Sequence, residues 1–192
     1  IEVLVRSLYI AIMTTIFCIL LGYPTAYVIA KYFGKGHGKL ILAITLPTWI
    51  NMLVRTYAWR GILQKDGLIN AILGVVGIGP LQMLETNFAV ILGMVYNFLP
   101  FMILQIYSSL SKMDESYIQA AADLGANKVQ TFLKVTLPLS IPGIISGITL
   151  VFLPAVSSFF IPKLLGGGKF VLIGNVIENQ FLTAGNWGFG SA

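Results

Sequence analysis

SYIQAAADLGANKVQTFLKVTLPLSIPGI (Ser116–Ile144) joins an alanine-rich, water-compatible stretch to an apolar segment that carries Pro138 and Pro142. Charge-free runs lie on both sides of it: Thr86–Ser111 upstream, and Val135–Pro162, which begins inside it. A third run, Ser7–Ala30, sets the scale. It has 24 uncharged residues between Arg6 and Lys31, roughly 36 Å as helix at ~1.5 Å per residue, enough to cross a hydrocarbon core of about 30 Å. Leu40–Val54 has only 15 and has to be extended through RTYAW to span, which puts Arg55 near one end.

The pattern predicts an all-α, polytopic transmembrane helix bundle with four spans, at about 7–30, 40–59, 86–111 and 135–162. FVLIGNVI, following Lys169, is too short to cross. Loop 112–134 and the short basic loop 31–39 fall on one side, with segments 60–85 and 163–192 on the other. Composition agrees: 57% of the 192 residues are hydrophobic and 10% charged, against about 25% charged in soluble domains. The net charge of +5 therefore belongs to loops and implies no nucleic acid. Cys18 has no cysteine partner in the chain. The first residue is Ile1, so the chain reads as a fragment.

Charge does not orient the bundle. Lys31, Lys35, Lys39, Lys112, Lys128 and Lys134 on one side balance Arg6, Arg55, Arg60, Lys65, Lys163 and Lys169 on the other. Prolines enter the apolar runs at Pro24, Pro47, Pro100, Pro142 and Pro154. Each removes a backbone donor, which suits kinked helices around a pathway and equally an ordinary membrane bundle.

The residues of several chemistries are missing. His37 stands alone in a Lys/Gly loop, which indicates neither a metal site nor a catalytic triad. GGGK (166–169) and GKGHGK (34–39) lack the spacing and the Ser or Thr of a phosphate-binding loop. Nucleotide hydrolysis, if it drives this chain, belongs to another subunit.

Within the opening stretch, Ser116 and Gln119 have capping-box spacing, Ala120, Ala121 and Ala122 propagate helix, and Gly125 can end it left-handed. The expected helix, 116–124, groups Ile118, Ala121, Ala122 and Gly125 on one small-residue face.

QAAADLGANKVQTFLKVTLPLSIPGI (119–144) resembles the EAA signature of inner-membrane permeases of binding-protein-dependent ABC importers, through Ala120, Ala121, Gly125, Leu137 and Pro138. The resemblance implies a cytoplasmic coupling helix that docks on an ATPase subunit, formed by Ile118, Gln119, Ala120, Ala121, Ala122, Asp123, Leu124 and Gly125, with Pro138 setting the following helix. Gln119 replaces the usual Glu, which loses a helix-dipole contribution of about 0.3–1 kcal/mol. Asp123 and Glu115 offer charge nearby. LPTWINMLVRTYAWRGIL (46–63), DGLIN (66–70), YNFLPFMIL (96–104), IPKLLGGGK (161–169) and LIGNVIENQFL (172–182) resemble the PotB/PotH-type permeases for spermidine and putrescine.

That family implies a type I ABC importer permease fold with six spans, of which this chain lacks one at each end, in the bacterial inner membrane. It implies an ATPase subunit dimer carrying ATP and magnesium, a second permease subunit, an extracytoplasmic polyamine-binding protein and surrounding membrane lipid. This chain would be no enzyme and would hold no cofactor or metal.

Polar residues inside the spans are pathway candidates: Tyr96, Asn97 and Pro100 in the third, Ser146, Thr149 and Ser157 in the fourth. They serve equally as interhelical hydrogen-bonding groups. Thr14, Cys18 and Gly22 form a small-residue packing row. Arg55 is expected to snorkel or to pair with Glu85 or Glu178, and those two carboxylates are candidates for attracting an amine. A secondary transporter would need intramembrane acids or inverted repeats, and the sequence has neither. An ABC permease for another solute stays open.

Overall fold

The computed structural model describes residues 2–32, 37–75, 77, 79–168, 170–185, 187 and 188. Residues 33–36 of the basic loop, Lys169, the end of the tail and the side chain of His37 lie outside that description. Among the described residues the chain is helical, in the order α1 (Glu2–Tyr32), α2 (His37–Thr45), α3 (Met52–Leu63), α4 (Leu68–Val75), α5 (Asn87–Ser111), α6 (Ser116–Asp123), α7 (Lys128–Thr131), α8 (Leu137–Ser157), α9 (Phe160–Leu165) and α10 (Ile173–Leu182). A 3₁₀ turn, Leu46–Trp49, follows α2, and a π turn, Phe132–Thr136, precedes α8.

Three described helices are long and apolar enough to cross a membrane: Glu2–Tyr32, Asn87–Ser111 and Lys128–Ser157. The second expected span, 40–59, is not one straight helix, because 38–49 and 52–75 meet at a bend of 89°. Pro47 cannot donate within the 3₁₀ turn. Asn51 Oδ1 then accepts from Leu53 N at 2.8 Å and starts α3 afresh. The fourth span also differs from 135–162: its helix reaches back to Lys128 and stops at Ser157, two residues before α9.

The residues cluster into two compact units, and α1, α5 and α8 each change unit part-way along. One unit holds 16–47 and 98–151. Its helices approach through glycine. A Cβ at Gly143 would stand 2.5 Å from Ser109 Cβ and 2.8 Å from the Gln105 carbonyl, and one at Gly147 would stand 2.5 Å from Met102 Sδ. Gly22 leaves room for Met102 and Ile103 on the remaining side. Cys18, Met102 and Ile106 are fully buried, whereas Leu20, Leu21 and Ile145 are exposed. That inversion is expected of a surface whose solvent is hydrocarbon, where packing rather than water exclusion joins helices.

The other unit holds 1–15, 48–97 and 152–192. Ser7 Oγ donates to Val3 O (2.8 Å) and accepts from Ile173 N (2.9 Å), tying α1 to the start of α10. Thr14 Oγ1 donates to Met94 Sδ at 3.7 Å, joining α1 to α5. Gly93 makes room for Ile161 and Leu165 of α9. Asn175 bridges two breaks: its Nδ2 donates to Phe159 O (2.9 Å) and its Oδ1 accepts from Leu172 N (3.1 Å).

Candidate functional site: an exposed helix between two spans

Helix α6 has Glu115 at its N-cap position, without a side-chain cap, and Asp114 stands just upstream. Asp114 Oδ1 accepts from Ser116 N at 2.9 Å, and Ile118 N and Gln119 N both donate to Glu115 O at 3.0 Å. This hydrogen bond holds the Asp114 carboxyl below the usual carboxylate range. The expected Ser116–Gln119 box does not form, because the cap position falls one residue earlier, at Glu115, and Ser116 is already inside the helix. Gln119 is consequently not a cap. With Tyr27, Lys31, Glu115 and Ile118 it lines a cavity of about 340 Å³.

The end of the helix is as its glycine predicts. Gly125 has φ +80°, Gly125 N donates to Ala122 O (2.9 Å) and Ala126 N to Ala121 O (3.0 Å). This paired bond pattern closes the last turn. A capping box does occur one helix later: Asn127 Oδ1 accepts from Gln130 N and Gln130 Oε1 from Asn127 N, both at 2.9 Å.

The following π turn reconciles Pro138 with a continuous helix. A proline clashes with the carbonyl four residues back. Here the turn widens, so that Leu137 N reaches Phe132 O five residues back. Phe132 then sets its ring against the edges of Tyr23 (5.8 Å) and Tyr27 (5.4 Å) of α1, and Tyr23 and Ser140 share a hydroxyl hydrogen bond of 3.0 Å. A short helix closed at both ends is thus fastened to the spans through a packed aromatic cluster.

Its outward face is not the one the alanines suggest. Ile118 and Ala121 turn inward and are half-buried, while Ala122 and Gly125 stay exposed. The outward apolar side chains are Tyr117 (55% exposed) and, at the C-cap, Leu124 (88%), with Val129 (66%) beyond them on α7. Tyr117 and Val129 escape a sequence reading centred on the alanine run. Gln119, Ala120 and Asp123 are exposed beside them, and Pro138 is exposed at the top of α8.

The pathway candidates differ in exposure. Asn97 is 2% exposed and Pro100 is buried. Asn97 Nδ2 donates to Gly93 O at 2.8 Å, and its Oδ1 is buried without a partner. Tyr96 is half-buried. On α8, Ser146, Thr149 and Ser157 are exposed, and each hydroxyl donates to a carbonyl of its own helix (2.9, 3.0 and 3.2 Å).

Arg55 is half-buried and does not pair with Glu178. Its guanidinium lies 5.9 Å from the centre of the Tyr96 ring, which Trp59 meets edge-on at 5.3 Å, and its Nε and Nη1 are buried with no acceptor. Glu178, 12% exposed, is held by Lys163 at 2.9 Å. Glu85 has φ +62°, its N–H donates to Leu165 O at 2.9 Å, and its side chain lies over Gly167.

Residues 68–191 match the family described as binding-protein-dependent transport system inner membrane component. All of the chain aligns with 68% of the spermidine/putrescine transport system permease protein PotB of Haemophilus influenzae at 46% identity. PotB of Escherichia coli is 44% identical, over all of this chain and 70% of its own length. The inner membrane ABC transporter permease protein YdcU of Escherichia coli is 34% identical, over 96% of this chain and 63% of that one. In fold, the chain matches a bacterial ABC transporter involved in the import of the acidic polysaccharide alginate. The TM-score is 0.77 at 17% identity, over 97% of this chain and 71% of that one.

Proposed function

The chain belongs to the inner-membrane components of binding-protein-dependent transport systems, and from that premise we propose that it is a permease subunit of an ATP-driven importer of spermidine and putrescine. It is a multi-pass protein of the inner membrane with the fold of an ABC importer permease. The observation that carries the substrate class is the 44–46% identity to two PotB permeases along the whole chain.

In this reading the chain forms part of the pathway beside a second permease subunit, and an extracytoplasmic binding protein delivers the polyamine. An ATPase dimer carrying ATP and magnesium meets the exposed face of α6. Tyr117, Leu124 and Val129 are the groups with surface to lose there, and hydrophobic burial is the main attraction available to them. The closed caps and the Phe132 cluster make α6 stiff enough to pass displacement into α1 and α8 without absorbing it. Closure of the ATPases then selects one of two arrangements of the spans through contacts that differ between them.

The test is reconstitution of the whole transporter in proteoliposomes with its ATPase and binding protein. Labelled spermidine or putrescine is expected inside, dependent on ATP. ATP-driven uptake of some other solute, with none of either polyamine, would reject the substrate while leaving the permease reading standing. Separately, cysteines at Tyr117 and Leu124 are expected to crosslink to the ATPase, and failure at both positions would remove α6 as the docking element.

A further inference from the structure

Buried polar side chains in folded proteins nearly always have partners. Among the described residues four buried side-chain atoms have none, and three of them belong to Arg55 and Asn97: Nε and Nη1 of the first, Oδ1 of the second. The fourth is Ser158 Oγ. Unused donors on α3 and an unused acceptor on α5 therefore stand in the same compact unit. We infer that Arg55 and Asn97 are the two halves of a polar switch, apart in this arrangement of the spans and hydrogen-bonded in the other one that transport visits. The inference rests on the reading of the chain as an alternating permease, and not on which solute it carries.

Three observations carry it. The first is that the guanidinium is held by a ring and not by acceptors. It lies 5.9 Å from the centre of the Tyr96 ring, and Tyr96 immediately precedes Asn97 in α5. Such a contact attracts the cation while leaving its N–H groups unbonded. Trp59, one turn along α3, meets the same ring edge-on at 5.3 Å.

The second observation places the missing acceptor within this chain. Nε and Nη1 are buried inside it, so an acid on a second subunit does not reach them. The acids of the same unit are engaged elsewhere or turned out: Glu178 pairs with Lys163, Glu85 lies over Gly167, and Glu2 and Asp66 are exposed. The third is that α5 has acceptors to spare beside Tyr96. Asn97 is 2% exposed and spends its Nδ2 on Gly93 O of its own helix at 2.8 Å, which leaves Oδ1 unused. Pro100 brings no N–H to the Tyr96 carbonyl four residues back. A guanidinium presents its N–H groups as a planar fork that can serve more than one acceptor. Bonds withheld in one arrangement and made in another are the differential contact that a two-state element needs.

The test uses the complete transporter, with its ATPase and binding protein, in proteoliposomes. The variants are Arg55→Met, Asn97→Leu and the two together. Neither side chain bonds another helix in this arrangement, so both single variants are expected to melt no lower than the parent. ATP-driven uptake is expected to fall at least about tenfold in each. In the double variant it should stay within about twofold of the slower single variant, because all three lack the same contact. Slowing that multiplies in the double variant means two independent roles and overturns the inference, as does uptake close to the parent's in either single variant. A lower melting temperature in both single variants means that the groups are already joined, directly or through ordered water, and overturns it equally. Arg55→Lys keeps a cation beside Tyr96 and loses the fork; it replaces Arg55→Met in the same comparison if that variant does not assemble. The parent complex reads the transport proposal separately: no polyamine uptake by the parent rejects that substrate, and ATP hydrolysis stimulated by the binding protein then supplies the rate for the variants.

Discussion

Leu124→Ala separates a coupling helix that docks through an apolar knob from one that serves only as a loop. Leu124 leaves 88% of its surface exposed, so the free permease gains almost nothing from it, and an exposed substitution of this kind usually stays within about 0.5 kcal/mol. If the ATPase subunit covers the side chain, the three carbons lost are worth roughly 2 kcal/mol at ~0.8 kcal/mol per buried CH₂. That corresponds to about 30-fold weaker docking. The assay is binding of the labelled ATPase to permease in nanodiscs, alongside uptake driven by ATP in proteoliposomes. The expected result is an unchanged melting temperature of the permease, weaker docking and slower uptake. A Kd and an uptake rate both within about twofold of the parent would refute the reasoning, because contacts of that size cannot hide 2 kcal/mol.

Other outcomes follow from the same geometry. Glu178→Lys should destabilise the protein by about 1 kcal/mol, since it sets two cations where Lys163 and Glu178 now lie 2.9 Å apart with Lys163 half exposed; the swap Lys163→Glu with Glu178→Lys should recover most of that loss in thermal unfolding. Gly143→Ala should cost about 1–3 kcal/mol, because its Cβ meets the Gln105 carbonyl, whereas Gly147→Ala should cost less, since the Met102 thioether it meets can move aside. Asp114 has its pKa lowered by the bond from Ser116 N. Its contribution to capping α6 is therefore present above the ordinary carboxylate value and lost as pH falls through the lowered one. Amide exchange across 116–123, corrected for intrinsic rate, should show that loss, and Asp114→Asn should abolish its pH dependence.

The spans were legible because hydrocarbon acts on composition: Ser7–Ala30 and Thr86–Ser111 lie within or beside helices Glu2–Tyr32 and Asn87–Ser111. The second span was less so. The uncharged run Leu40–Val54 spans only if it is carried straight on through Arg55 to Trp59, but Pro47 and the Asn51 cap restart the helix in a new direction. The ion pair of Glu178 was hidden for a related reason. Its partner Lys163 is 15 residues away on α9, and the two meet only once the chain has turned back between α9 and α10.

The coupling helix shows where local rules stop. Two residues compete to start it, Asp114 and Ser116, and both are good caps. The sequence favours Ser116 because Gln119 follows at box spacing. The structure uses Asp114, just ahead of the cap position at Glu115, because α5 ends just upstream: Met113 N donates to Leu110 O at 3.2 Å, and the chain turns towards α6 there. In the folded helix Ile118 and Ala121 face inward and Tyr117 and Leu124 outward. Whether Gln119 can replace an acidic residue is thereby reduced to a question about a cavity wall beside Lys31 and Glu115. Residues 112–114 form a non-helical joint between α5 and α6, which can take up an added residue outside either helix. Inserting one residue between Ser111 and Asp114 should therefore leave the exposed face of α6 intact, but one residue more between Asp114 and Tyr117 should rotate it by about 100°, and uptake should fail only in the second case.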